Sequence, residues 1–401
     1  MMSDMPGQVL TYRYRLCPSK VQHAKLQAAV DHTRDLMNAA LDERIGAYRK
    51  RGKSLTFYDQ CKGLTELRSS DSFTTYSVVM QRWALKKIDH AFKAFFRRVK
   101  AGQTPGFPRF KGRDRIRAFG FADKAGWRVR GQHLIMKGIG AIRLSVHRAL
   151  PGPPLTCVVR RYGKRWFACL TVRVPNAEAH NGPSVGLDMG VKHLATLSTG
   201  ETIPNRRSGD RCRAAVRRAQ RALARCKRGS KRRAKVKARL ARLREREANA
   251  RATHLHQVTA DLTRHFSTIV LEDLKLSNMT RSAKGTVEEP GTNVRQKAGL
   301  NRSLTDTALG RFKELLTYKA ERAGGKVITV DPKHTSQTCS ACGAVDATSR
   351  RTRDQFTCRS CGHIGCADHN AAINIARRGG VLVPGGDNVG RWAERRLGKL
   401  V

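Results

Sequence analysis

Acidic residues are scarce in this chain. Its 401 residues hold 31 aspartates and glutamates against 79 lysines and arginines, a net charge of +48. Such a field has no use in an enzyme for small neutral molecules. It suits a polyanionic partner, because each neutralised phosphate releases condensed counterions. Charge alone does not separate DNA from RNA. Long apolar runs are also missing: no stretch approaches the roughly 18 residues of a membrane span. The first residues, Met1 to Gly7, lack the basic-then-apolar pattern of a signal peptide. A cytoplasmic protein without a membrane partner is expected. No repeat of solenoid period is present.

The eleven cysteines, in a reducing compartment, point to metal binding rather than disulfides. Four form two tight pairs, Cys339-x2-Cys342 and Cys358-x2-Cys361, separated by fifteen residues. Each pair lets two thiolates converge on one ion, and Gly343 and Gly362 follow where the turn is tightest. Four thiolates fill a tetrahedron and leave no place for a reactive water, so this zinc is structural. Cys17, Cys61, Cys157, Cys169, Cys212, Cys226 and Cys366 are scattered and read as plain thiols.

Periodicity divides the rest. Residues 8–16 alternate as a strand, residues 19–100 follow a helical period, and residues 115–175 read as short strands with glycine and proline turns. That order predicts a β-barrel with a helical insertion. After residue 181 come short apolar strands at 184–188 and 191–198, then a basic helical hairpin over 206–260 broken at Gly229-Ser230. A buried strand spans 268–272, and a polar stretch over 275–300 reads as a mobile loop. A helix is expected over 304–322, a strand over 326–330 and a last helix over 368–378. The fold class is therefore multidomain, α+β and α/β.

Asp188 and Glu272 each end an apolar strand, and Asp368 opens a helix. Carboxylates brought together repel one another unless cations lie among them. Magnesium suits a few carboxylates with water and phosphate oxygens, and two such ions support phosphodiester hydrolysis. Asp188 is expected to bridge two Mg2+ ions, with Glu272 and Asp368 holding one each.

These residues also carry a family likeness. Gly186-Leu187-Asp188-Met189-Gly190, Ile269-Val270-Leu271-Glu272-Asp273-Leu274, Val330-Asp331-Pro332-Lys333-His334-Thr335 leading into Cys339, and Asp368-His369-Asn370-Ala371-Ala372 resemble the TnpB family. Phe95-Phe96-Arg97-Arg98, Gly106-Phe107-Pro108-Arg109-Phe110-Lys111 and Asn249-Ala250-Arg251 are similar to it too. TnpB proteins are transposon-encoded RNA-guided nucleases of the IS200/IS605 and IS607 groups, relatives of Cas12. The resemblance implies an RNase H-like (RuvC) nuclease domain over 181–331 and 366–378, with a zinc ribbon inserted over 332–365. It implies a wedge β-barrel over 1–18 and 114–180, holding a helical recognition domain over 19–113. It further implies a guide RNA from the transposon end, one or two protein copies per RNA, and cleavage of double-stranded DNA beside a short motif. The residues after 378 fall outside the likeness and read as a disordered tail. The triad carries over as Asp188, Glu272 and Asp368, with no acid lost, unlike nuclease-dead, repressor-like relatives.

The hairpin holds twenty lysines and arginines over 206–251 against three acids, a density that suits phosphate contacts. Arg217, Arg221 and Arg251 are candidates there, as are Lys86, Lys87, Arg97, Arg98, Arg109, Lys111 and Arg113 in the amino-terminal half. Gln81, with Ser77 one turn earlier, is placed to face a base edge, and Tyr48 is a weaker candidate. His254-Leu255-His256 imitates the triplet of tyrosine transposases, but a helix points the two side chains about 200° apart; His256 is expected to pack or hydrogen-bond. The alternatives are a compact CRISPR effector of Cas12 type, a guide-bound DNA-binding protein that does not cut, and a DNA-joining transposase.

Overall fold

The computed structural model describes residues 7–69, 73–113 and 115–381. The chain divides into two compact units after Pro175. In the first, β1 (Gly7–Cys17) leads into three helices. α1 (Lys20–Arg51) starts with a reciprocal capping box between Ser19 and Gln22 and stops at Gly52, whose φ of 61° is left-handed. α2 (Phe57–Leu67) starts with a second box, Thr56 with Asp59. α3 (Val78–Lys100) is capped by Ser77.

Six strands follow: β2 (Ala118–Phe121), β3 (Trp127–Arg130), β4 (His133–Met136), β5 (Gly140–Ser145), β6 (Pro154–Tyr162) and β7 (Arg165–Pro175). They join β1 in one antiparallel sheet of order β2-β6-β7-β1-β5-β4-β3. Alternate residues of all seven strands, including Tyr14, Phe119, Trp127, Leu134, Ile142, Val159 and Trp166, share one core. The edge strands β2 and β3 do not pair with each other. The expected barrel is therefore a sheet folded around its core rather than a hydrogen-bonded cylinder. Leu26, Val30 and Met80 of the inserted helices complete that core, and a smaller one of Leu36, Leu41, Leu64 and Ile88 binds the helices together.

The second unit is built on a five-stranded sheet from β8 (Ser184–Met189), β9 (His193–Leu197), β10 (Thr202–Pro204), β11 (Thr268–Glu272) and β12 (Lys326–Val330). Its order is β10-β9-β8-β11-β12. β9 returns antiparallel to β8, whereas β8, β11 and β12 run parallel. Every residue of β11 is buried, as befits a central strand covered on both faces.

Between β10 and β11 rises the hairpin of α4 (Ser208–Ala224) and α5 (Lys231–His265). It turns at Gly229, φ 82°, and Ser230 caps α5. Two expectations change between β11 and β12. The loop expected over 275–300 contains α6 (Leu276–Met279) and the first half of α7 (Val294–Thr307). The single helix expected over 304–322 is broken by left-handed Ala308, which ends α7 and opens α8 (Leu309–Arg322). Beyond β12 come the cysteine pairs, the hairpin of β13 (Gln355–Thr357) and β14 (Ile364–Cys366), and α9 (Ala367–Arg378). From residue 382 onward, the expected disordered tail lies outside the described residues. No helix among the described residues is long and apolar enough to cross a membrane.

Candidate active site and nucleic-acid surface

Asp188 and Glu272 stand at one end of the sheet because β8 and β11 are parallel neighbours. Their register pairs Leu187 with Leu271, so the next residue on each strand is an acid. The carboxyl ends of parallel strands are where open α/β sheets bind ligands. Asp368 arrives from α9, which lies directly on β8. Gly186 permits this approach: a Cβ there would stand 2.3 Å from the Ala372 carbonyl oxygen and 2.6 Å from the Ala376 nitrogen. A side chain at 186 would push away the helix that carries Asp368.

Burial and the charges of neighbouring acids act on this grouping together. Asp188 is pushed up to about 7, first by burial and then by the charges of Glu272 and Asp368, with Arg350 opposing. Glu272 is 8% exposed. Burial raises its carboxyl too, against a hydrogen bond donated by the Thr335 hydroxyl and the charge of Arg378. Arg350 reaches Asp368 at 3.5 Å. Asp188 and Asp368 line one cavity of about 190 Å³ with Lys192, Thr196, Arg350 and Arg353. Glu272 is not part of that lining. Among the described residues, only the four paired cysteines bring three or more potential ligand atoms within 4.8 Å of one another, so the three carboxylates are set wider than that.

The cysteine cluster has the shape zinc needs. Sγ atoms of Cys339 and Cys361, and of Cys342 and Cys358, are 3.7 Å apart. A tetrahedron with Zn–S arms of about 2.3 Å has edges of about 3.8 Å. Gly343 and Gly362 take the left-handed conformation, φ 80° and 75°.

The ribbon is fastened to the acidic corner by side chains whose role the sequence reading did not assign. Asn370 is buried on α9. It accepts from the Ser340 N–H at 2.8 Å and donates to the Thr338 carbonyl at 2.8 Å. Asn374 donates to the carbonyls of Thr335 and Thr338 at 3.0 and 2.6 Å. Arg377 donates to the Ser340 carbonyl. Thr335 thus links α9 to Glu272: its carbonyl is held by Asn374 and its hydroxyl holds the acid. Lys192, beyond β8, reaches Asp354 of the ribbon at 2.8 Å. Gly186 could have been found, since a lone glycine inside an apolar strand marks a close backbone approach. Arg350 could not, being one more arginine in a basic run.

Two expected base-reading residues are placed otherwise. Ser77 is buried and caps α3 by accepting from the Met80 N–H at 3.2 Å. Gln81 is buried with its amide fully used: Nε2 donates to the Phe73 carbonyl at 3.0 Å and meets His32, while Oε1 accepts from Arg68. Neither can turn to a base without abandoning these bonds. Arg251 is also largely committed inside the fold, pairing with Glu247 at 3.0 Å and Asp306 at 3.2 Å.

Tyr48, Lys86, Arg97, Arg109, Arg113, Arg217 and Arg221 are exposed, whereas Arg98 and Lys111 are half-buried. Lys87 lies over the Trp83 ring at 4.8 Å. In the histidine triplet it is His254, not His256, that is buried, with Nε2 at 3.2 Å from the Pro204 carbonyl.

The family described as "Probable transposase" matches residues 167–283, and the "Cas12f1-like, TNB domain" family matches residues 310–375. A "Helix-turn-helix domain" family matches residues 5–53, of which the described residues form β1 and the single long α1. The chain is 32% identical over 389 residues to "Putative RNA-guided DNA endonuclease InsQ" of Escherichia coli (strain K12), covering 94% of each chain. It is 29% identical over 388 residues to a Streptomyces pristinaespiralis protein described as "Putative RNA-guided DNA endonuclease", covering 94% of this chain and 91% of the relative. A shorter likeness, 38% over 117 residues, joins it to "CRISPR-associated endodeoxyribonuclease Cas12f1" of Sulfoacidibacillus thermotolerans, 29% of this chain and 26% of that one. In fold it is similar to a Cas12f1 chain solved by cryo-EM with its sgRNA and target DNA, with a TM-score of 0.56 and 14% identity over 90% of this chain and 83% of that one. With the full-length likeness to InsQ beside the acidic corner and its cysteine clip, the chain belongs to the TnpB family of transposon-encoded proteins.

Proposed function

We propose that this protein is an RNA-guided DNA endonuclease that hydrolyses double-stranded DNA beside a short adjacent motif. The observation that carries the reading is the convergence on Asp188. Two neighbouring strand ends and a helix start bring three acids to one corner, where burial first, and the charges of Glu272 and Asp368 second, raise the Asp188 carboxyl to about 7. The strand order β10-β9-β8-β11-β12, with the first three elements antiparallel and the last two parallel to β8, supports an RNase H-like, RuvC-type domain. The relatives' descriptions as RNA-guided DNA endonucleases support the same activity.

Asp188, Glu272 and Asp368 would hold Mg2+. Their hard oxygens suit it, and the mutual repulsion at Asp188 is what a divalent cation relieves. When bound, magnesium ions supply water activation and stabilise the leaving oxygen. The chain's own residues do the positioning. Gly186 lets α9 seat, Asn370 and Asn374 bolt α9 to the first cysteine pair, and Thr335 orients Glu272. Arg350, beside Asp368, is within the same cavity and can meet a phosphate oxygen. Zinc in the cysteine cluster serves as a structural clip.

The folded seven-stranded sheet is the wedge domain of this reading, and α1 to α3 are its recognition insert. Guide RNA and target DNA are its partners, with Tyr48, Lys86, Lys87, Arg97, Arg98, Arg109, Lys111, Arg113, Arg217 and Arg221 as contacts. Purification with sequencing of bound RNA, followed by cleavage of targets with a randomised flank, tests it. A discrete RNA and Mg2+-dependent cutting of matched targets are expected. Absence of bound RNA, or guided binding without cutting, would overturn the endonuclease reading.

A further inference from the structure

Near its carboxyl end α3 carries three phenylalanines, and the loop after it folds back to add more. Phe107 meets Phe92 and Phe95 edge-on, with ring centroids 5.7 and 5.3 Å apart. Phe95 meets Phe96 at 5.1 Å. Asn38 of α1 holds the returning loop like a strand partner. Its amide donates to the Lys111 carbonyl at 3.0 Å and accepts from the Lys111 N–H at 2.8 Å.

This cluster is not a closed core. Within it Phe96 and Phe107 are 53% and 49% exposed, and Phe110, three residues further along the same loop, is 55% exposed. Grouped, exposed aromatic rings mark a binding surface, whereas single exposed apolar residues do not. The surrounding charge narrows the occupant. Residues 90–115 hold eight lysines and arginines and one acid. The side chains of Arg97, Arg109 and Arg113 have no ion pair or side-chain hydrogen bond among the described residues. A second copy of the chain would set this cationic patch against its own like, so a polyanion with flat apolar faces fits better. Nucleic acid has such faces where bases are unpaired.

We propose that this patch is a stacking platform for the DNA strand displaced by guide pairing, with rings taking bases and arginines taking phosphates. The occupant rests on the RNA-guided reading: when a guide pairs with one target strand, the other is left with unpaired bases. Stacking on rings is tolerant of sequence, as a displaced strand of any target requires.

The test compares RNA-loaded wild type with a Phe96→Ala, Phe110→Ala variant for binding of a labelled thymidine oligonucleotide. Guide retention and melting temperature are measured in parallel. The proposal expects oligonucleotide affinity to fall by ~10-fold or more, with RNA retention unchanged. Phe96→Tyr with Phe110→Trp should retain affinity, which separates stacking from a fold defect. Unchanged affinity in the alanine variant overturns the platform, and an equal loss of bound RNA would assign the rings to the guide instead. An alanine variant that still binds the oligonucleotide but loses an acidic protein partner would also overturn it. If wild type carries no RNA at all, the guided reading fails first and takes the displaced strand with it. If RNA is present and the rings are indifferent, the platform alone fails.

Discussion

The acidic corner and the basic hairpin of the second unit use charge in opposite ways. At the corner, Asp188 and Glu272 are taken from water, and Asp188 also feels the charges of Glu272 and Asp368. Their placement depends on backbone register, one glycine, two buried asparagines and a threonine. In the α4–α5 hairpin, twenty cations face three acids, and Arg217 and Arg221 stand in solvent. Desolvated charge is sensitive to every neighbour, whereas solvated charge is screened and each cation contributes a small part. Single changes should therefore act all-or-none at the corner and by degrees on the hairpin. Arg251, at the base of the hairpin, belongs with the corner in this respect, since it bridges Glu247 and Asp306.

The largest effect expected is at the clip. Structural zinc sites contribute on the order of 10 kcal/mol to folding. Cys358→Ser should lose the zinc, open residues 335–366 to protease and abolish cleavage, as read by metal content and limited digestion. Retained zinc with retained cleavage would detach the clip from the corner.

Next comes the bolt itself. Replacing Asn370 and Asn374 together with alanine removes the side-chain partners of the Ser340 N–H and of the Thr335 and Thr338 carbonyls, at a cost of about 1–3 kcal/mol for each group left unsatisfied. Denaturant unfolding reads the cost, and cleavage should fall further than DNA binding, because Asp368 is what moves.

The Asp188 carboxyl gives a third test, of opposite sign. Its folded value, raised from 3.8 to about 7, means that the folded state binds the proton more tightly than the unfolded chain. The stability from this group is present below about pH 4 and lost as pH rises through about 7. In chelator at about pH 8, Asp188→Asn should be more stable than wild type by about 2–4 kcal/mol, and the gain should vanish near pH 4. A gain independent of pH would mean that neither burial nor repulsion of the charged carboxylate is its source.

The smallest effects belong to the hairpin. Arg217→Ala and Arg221→Ala should each change stability by no more than about 0.5 kcal/mol. Each should also lower the salt slope of RNA binding by about 1. A loss of binding as complete as the corner's loss of cleavage would break the contrast between the two regions.

Much of the corner was legible because strands, a knuckle and a helix start each carry local signals. The apolar runs ending in Asp188 and Glu272 read as strands, and Cys-x2-Cys spacing reads as a ligand set. Their register does not, because pairing of β8 with β11 spans the whole hairpin. Ser77 and Gln81 were misplaced for a related reason. A polar residue on a helix has the same local signature whether it faces water or a buried partner, and Gln81 is satisfied by His32, Arg68 and Phe73 from other elements. The break at Ala308 has no glycine or proline at the break itself, and Gly310 falls two residues later, inside α8. The ties from Asn370, Asn374 and Thr335 needed the ribbon and α9 to be seen together.

The most direct measurement replaces Asp188, Glu272 and Asp368 singly with alanine in RNA-loaded protein, then follows guided binding and cleavage of one matched duplex. The account predicts three variants that bind like wild type and cut ~100-fold more slowly or not at all. A variant that cuts at the wild-type rate, or one that loses binding in step with cutting, would contradict the assignment of these acids to the chemistry.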